Sequence, residues 1–212
     1  MREPPVFRRL FSFVPGSSAS RLLSGFCGRV RVGDKSNGRR PMALMVLAAF
    51  FLSLCVVAAL YDINQLKIPN WLNLTIAGLF IPAAAVSGLP LEIIGGHLMA
   101  GGLAFVVAFG LFAFRIFGGG DAKMIPAVVL WMGPEAAFAF AFKMAIAGGI
   151  CAMLILAVRR TTPAEAVPGF MRAPFQDKAS VPYGVAIAAG AILAGSASPL
   201  LADLFRAAGI TG

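Results

Sequence analysis

Tyr61-Asp62-Ile63-Asn64-Gln65-Leu66-Lys67-Ile68-Pro69-Asn70 and Gly118-Gly119-Gly120-Asp121-Ala122-Lys123 are the stretches on which the reading of this chain turns. Each sets an aspartate at the end of a long apolar run. Acidic residues are scarce, nine in 212. A carboxylate bordering hydrocarbon is costly unless it serves a purpose. Two in matching positions suggest a membrane-embedded pair able to share a proton.

The surrounding composition sets the fold class. The hydrophobic fraction is 59% and the mean hydropathy +0.86, well above an ordinary soluble domain. Several apolar runs reach the roughly 20 residues needed to cross a bilayer as helix. The chain reads as all-α, a polytopic membrane bundle of about six helices. The predicted spans are 42–60, 71–89, 93–114, a short 122–133, 136–158 and 181–204. The short segment could instead join its successor, with Glu135 in the middle. Charge placement decides against that. With six spans, Lys67, Arg115, Lys123, Arg159, Arg160, Arg172 and Lys178 all fall on one side. Merging would send Arg159 and Arg160 across. The positive-inside rule therefore makes the basic loops cytoplasmic, and puts Asp62 and Asp121 level at that face.

The net charge of +9 is concentrated at the start: residues 1–40 hold nine of the eighteen Lys and Arg. This is a basic tail beside a near-neutral bundle, and nucleic-acid binding is not implied. Residues 1–41 read as a disordered tail, 42–204 as the membrane domain and 205–212 as a short C-terminal tail. An even number of spans would place the basic tail on the wrong side. Translation starting at Met42 or Met45 is the favoured explanation; a local violation of the charge rule or a targeting segment are the others. Cys27, Cys55 and Cys151 are far apart and read as packing residues, with no metal site and no cofactor.

In the first stretch Pro69 suits the first turn of the second span. Asn70 and Asn73 could cap that turn or bond neighbouring loop groups, and Trp71 suits a membrane interface. Alone, Asp62 could simply end the first helix at the water boundary. In the second stretch the triple glycine permits unusual backbone angles and close approach of another chain, though alone it could be a flexible turn. Together the stretches say more. Two neighbouring aspartates cannot both ionise easily and would hold one proton between them. The ionised member could then activate water and the protonated one donate to a carbonyl. Lys67 and Lys123 could favour a charged carboxylate or, the preferred reading, hold the loops at the headgroups.

These motifs, with Val181-Pro182-Tyr183-Gly184 at the start of the last span, resemble the type IV prepilin peptidases, membrane aspartyl proteases of the GxGD kind. The resemblance covers about residues 42–204. It implies that Asp62 and Asp121 are catalytic, with Gly118, Gly119, Gly120, Lys123, Lys67, Pro69, Asn70, Pro182, Tyr183 and Gly184 supporting the site. The implied partners are prepilin and pseudopilin substrates, the lipid bilayer and pilus assembly machinery. The implied location is the bacterial inner membrane, with the site facing the cytoplasm. Larger family members carry a cysteine-rich cytoplasmic loop and an N-methyltransferase activity. This chain lacks that loop, so it resembles the short Flp/Tad form, cleaving without methylating.

Two alternatives stand beside this. Tyr61-Asp62 also suits an intramembrane protease of the presenilin or signal-peptide-peptidase type, but the Pro-Ala-Leu motif expected there is absent. A transporter or assembly scaffold could place the aspartates on an ion path, though no convincing internal repeat supports it. His97 reads as a packing or interfacial histidine, the glycine-rich helices as packing, and Lys143 as snorkelling to the outer headgroups.

Overall fold

The computed structural model describes residues 39–161, 168–169, 173–176 and 180–209. All belong to one compact unit, Gly38–Gly212. Residues 1–38, with Cys27, and the basic residues Arg172 and Lys178 lie outside the described residues.

The elements are α1 (Arg39–Gln65), α2 (Asn70–Gly78), α3 (Phe80–Ser87), α4 (Leu91–Ala113), α5 (Gly119–Thr161), a 3-10 turn (Ala173–Phe175), α6 (Tyr183–Ala194), a second 3-10 turn (Gly195–Ala197) and α7 (Ala202–Ala207). Among the described residues there is no strand, so the expected all-α class stands. Among the described residues, four helical segments are long and apolar enough to cross a membrane: Met42–Gln65, Asn70–Ser87, Leu91–Ala113 and Gly119–Thr161. Large apolar side chains such as Leu74, Leu103, Phe138 and Met153 are exposed along them. In water such surface would be a liability; against lipid tails it is the expected exterior. The protein is a helical membrane protein.

The expectation of about six spans needs one revision and gains one explanation. Gly119–Thr161 is a single run of 43 residues, yet Gly133 inside it has φ 70 and ψ 175. That backbone is open to glycine and strained for other residues, and Pro134 has no N–H with which to carry the helix on. The chain doubles back there. Asp121, before the break, and Gly148, after it, both neighbour Tyr183. Helical rises of 1.5 Å per residue would otherwise hold them tens of ångströms apart. The segments expected at 122–133 and 136–158 are thus two antiparallel arms of α5. The last expected span, 181–204, is not continuous. Helix α6 stops at Ala194, a 3-10 turn follows, and Ser198 has extended backbone at ψ 131. Helix α7 then carries the fold to Ala207, with Phe205 buried.

The core is centred on the first arm of α5. Trp131 is fully buried, stacks on Phe51 at 4.5 Å and donates its indole N–H to the Ile76 carbonyl at 2.9 Å. The reversal at Gly133 leaves carbonyls without helical partners. His97 Nδ1 lies 2.9 Å from Leu130 O, and Ser198 Oγ donates to Trp131 O at 2.6 Å. His97 therefore packs inside the bundle at the end opposite the aspartates. Lys143 donates to Leu193 O in the last turn of α6, where a cation complements the helix dipole. It ties the second arm of α5 to α6.

Candidate active site

Asp62 occupies the last turn of α1 and is 5% exposed. A carboxylate at a helix C-terminus faces the negative end of its own dipole. Another helix compensates. Pro182 is the N-cap of α6, Tyr183 its first residue, and Gly184 N–H donates to Asp62 Oδ2 at 2.6 Å. The Asp62 carboxylate thus sits at the positive end of α6. Gly184 also clears the space: a Cβ there would lie 2.9 Å from Asp62 Cβ and 3.0 Å from Oδ2.

Asp121 is placed by its own helix. Gly118 precedes α5 and Asp121 is its third residue. The Asp121 carboxylate turns back over the start of its own helix, where a Cβ on Gly118 would lie 3.0 Å from its Oδ2. The three glycines act by approach and not by unusual angles, since none has a positive φ. A Cβ on Gly119 would meet Phe112 at 3.3 Å, and one on Gly120 would meet Ile68 Cβ and N at 3.2 Å. A bulkier segment could not let the start of α5 lie against the Lys67–Asn70 turn.

The turn and the glycine segment are also tied by side chains. Asn73 Nδ2 donates to Gly120 O at 3.3 Å, and Lys123 Nζ donates to Asn70 Oδ1 at 2.9 Å. The asparagines do not cap α2; Pro69 is its N-cap and no side-chain cap bond forms there. Lys123 points away from the carboxylates into this bridge, while Lys67 borders the pocket that holds them.

That pocket, of about 460 Å³, is lined by Asp62, Asp121, Lys67, the three glycines, Phe117 and Tyr183. The two carboxylates are close enough to interact electrostatically. Tyr183 is wedged between Phe117, at 5.4 Å between ring centroids, and Gly148, where a Cβ would lie 3.0 Å from the ring. The structure therefore brings together Asp62, Asp121, Gly118, Gly119, Gly120, Lys67, Tyr183 and Gly184. It sets Pro69, Asn70, Lys123 and Pro182 behind them as helix starts and ties. Sequence reading missed Phe117, Leu66 and Ser180, which also line the pocket. Nothing in their residue type marks them; only the folding of three segments onto one another does.

Against known families, the model of the type IV leader peptidase family matches residues 49–153, a segment that contains both aspartates and the glycine turn. The chain belongs to the type IV leader peptidase family. It is accordingly a leader-peptidase-like membrane protease. No curated protein and no solved structure matches the chain.

Proposed function

We propose that this member of the family is an aspartic endopeptidase that removes the short basic leader from type IV, Flp/Tad-like, prepilins and pseudopilins. Cleavage takes place at the cytoplasmic face of the inner membrane, and the new N-terminus is left unmethylated. The observation that carries the reading is the convergence of Asp62 and Asp121, from two distant helix ends, on one pocket.

The chemistry follows from a shared proton. Two adjacent carboxylates in a partly desolvated site resist double ionisation. The ionised member takes a proton from a water as its oxygen attacks the scissile carbonyl carbon. The protonated member gives its proton to the carbonyl oxygen, forming a neutral gem-diol. Collapse re-forms the carbonyl, breaks the C–N bond and returns a proton to the leaving amine. The orientation is supported by Lys67, Arg115, Lys123, Arg159 and Arg160, which lie at the ends of helices on the carboxylate side. Cleavage alone is supported by the sequence, whose three cysteines form no cluster.

The test is processing of a precursor by purified protein in proteoliposomes. Asp62→Asn and Asp121→Asn are each expected to lower kcat by about 100-fold or more, the scale of a positioned acid or base. Normal processing by either variant would end the two-carboxylate mechanism. Mass measurement of the product reads the methylation claim directly.

A further inference from the structure

A second, larger depression runs along the bundle away from the carboxylates. It is a groove of about 730 Å³. Its floor is the first arm of α5, at the buried Ile125 and Val129, and its walls are α4 and the second arm. Along α4 it extends from Gly96 to Leu111. At 1.5 Å per residue that is about 22 Å, most of the hydrocarbon thickness of a bilayer. From α4 the small residues Gly96, Ala100, Ala104 and Ala108 line it at one per turn. The doubling back of the chain at Gly133 creates the groove, because it lays two arms of one helix beside α4.

One end of the groove decides its meaning. Phe117 lines it, and Phe117 also lines the carboxylate pocket. Another apolar cleft, between Asn73, Phe105 and Leu130, shares no lining residue with that pocket. We propose that the groove seats the apolar helix that follows the leader in the substrate, handing its first residues past Phe117 to Asp62 and Asp121. This assignment rests on the peptidase reading above. A bond cut at the membrane boundary lies at the head of a helix embedded in the bilayer, so that helix must have a place beside the pocket. Lipid tails are as apolar as a helix, so burial alone gives no preference. Close packing against small residues does, because it lets two backbones approach.

The experiment uses full-length protein in vesicles, with Asp121→Asn to keep the precursor intact. A photoreactive benzoyl-phenylalanine is placed at Leu103 or Val107, which line the groove, or at Val106 or Phe109, which are exposed on α4 outside it. The precursor is expected to crosslink at the first two positions and to fall to background at the other two. Deleting its apolar helix should abolish the crosslink. Equal yields at all four positions, or crosslinks at Leu103 and Val107 only to lipid or to a second copy of this chain, would overturn the assignment. In enzyme with both aspartates intact, Ala104→Trp fills the groove and is expected to raise KM for the precursor while kcat is kept; an unchanged KM would count against it. Crosslinking needs no catalysis. A failed groove and a failed peptidase reading are therefore told apart, since the latter appears as precursor left uncut by the unmodified enzyme.

Discussion

The two aspartates are held in opposite ways. Asp121 is placed by residues next to it: the carboxylate folds back against Gly118 at the start of its own helix. Asp62 ends a helix whose dipole opposes it, and its partner, Gly184 N–H at 2.6 Å, comes from a helix far along the chain. A locally held carboxylate survives modest shifts of the bundle. One held by another helix moves whenever that helix does. Asp62 is therefore the member whose position depends on the packing of α1 against α6.

The largest break in this comparison is expected from Gly184→Ala. Its methyl group would lie 2.9 Å from Asp62 Cβ, an atom one bond from the backbone that cannot swing aside. Either α6 or the end of α1 must move. A displacement near 1 Å is expected to lower kcat by about 100-fold, read in the precursor assay, while Tm falls only moderately. If activity is retained, Asp62 is not held as described. Gly118→Ala is the matched change on the other side. Its Cβ would approach Asp121 Oδ2 at 3.0 Å, the far end of a side chain that can rotate. The expected loss is smaller, within about tenfold, because turning one side chain away from its preferred rotamer costs about 1 kcal/mol. Equal losses in the two variants would erase the distinction.

Smaller effects probe the ties behind the site. Asn73→Ala removes the bond to Gly120 O at 3.3 Å and is expected to cost about 1 kcal/mol of stability, seen as a lowered Tm in detergent. The smallest change concerns strain. Leu66 and Arg115 have φ of 52 and 59 and follow the ends of α1 and α4, Leu66 within the first motif and Arg115 just before the second. A side chain in the left-handed region costs about 1 kcal/mol. Arg115→Gly is expected to recover part of that as a raised Tm, with processing unchanged. A lowered Tm would mean that the arginine side chain outweighs its strain.

The same contrast explains what could be read from residues. The end of one arm of α5 and the start of the next was legible at Gly133–Glu135, because only a reversal keeps Arg159 and Arg160 with the other basic loops. The break in 181–204 was not legible. Averaged hydropathy does not register that Ser198 is taken out of the helix to bond Trp131 O at 2.6 Å. Which of two roles Asn70 and Asn73 take was open for a similar reason. By residue type they could cap the first turn of the second span or bond neighbouring loop groups; no cap bond forms, Asn73 donates to Gly120 O and Asn70 accepts from Lys123. The glycines 118–120 permit unusual angles and close approach of another chain; none has a positive φ, and the segment that Gly120 approaches is the chain's own Lys67–Asn70 turn, a tertiary fact.

By itself the sequence determined the class of structure and the chemistry available. Apolar runs of bilayer length leave the backbone no choice but helix, and two aspartates among so few acids mark where acid–base work is possible. Only the tertiary structure decided that they share a pocket, that α6 lends its N-terminus to Asp62, and that a groove runs from Phe117 along α4. The physical reason is range. Hydropathy and capping act over a few residues and are written locally. The approach of Gly184 to Asp62, or of Gly120 to Ile68, depends on how whole helices pack, and no short stretch of sequence encodes that.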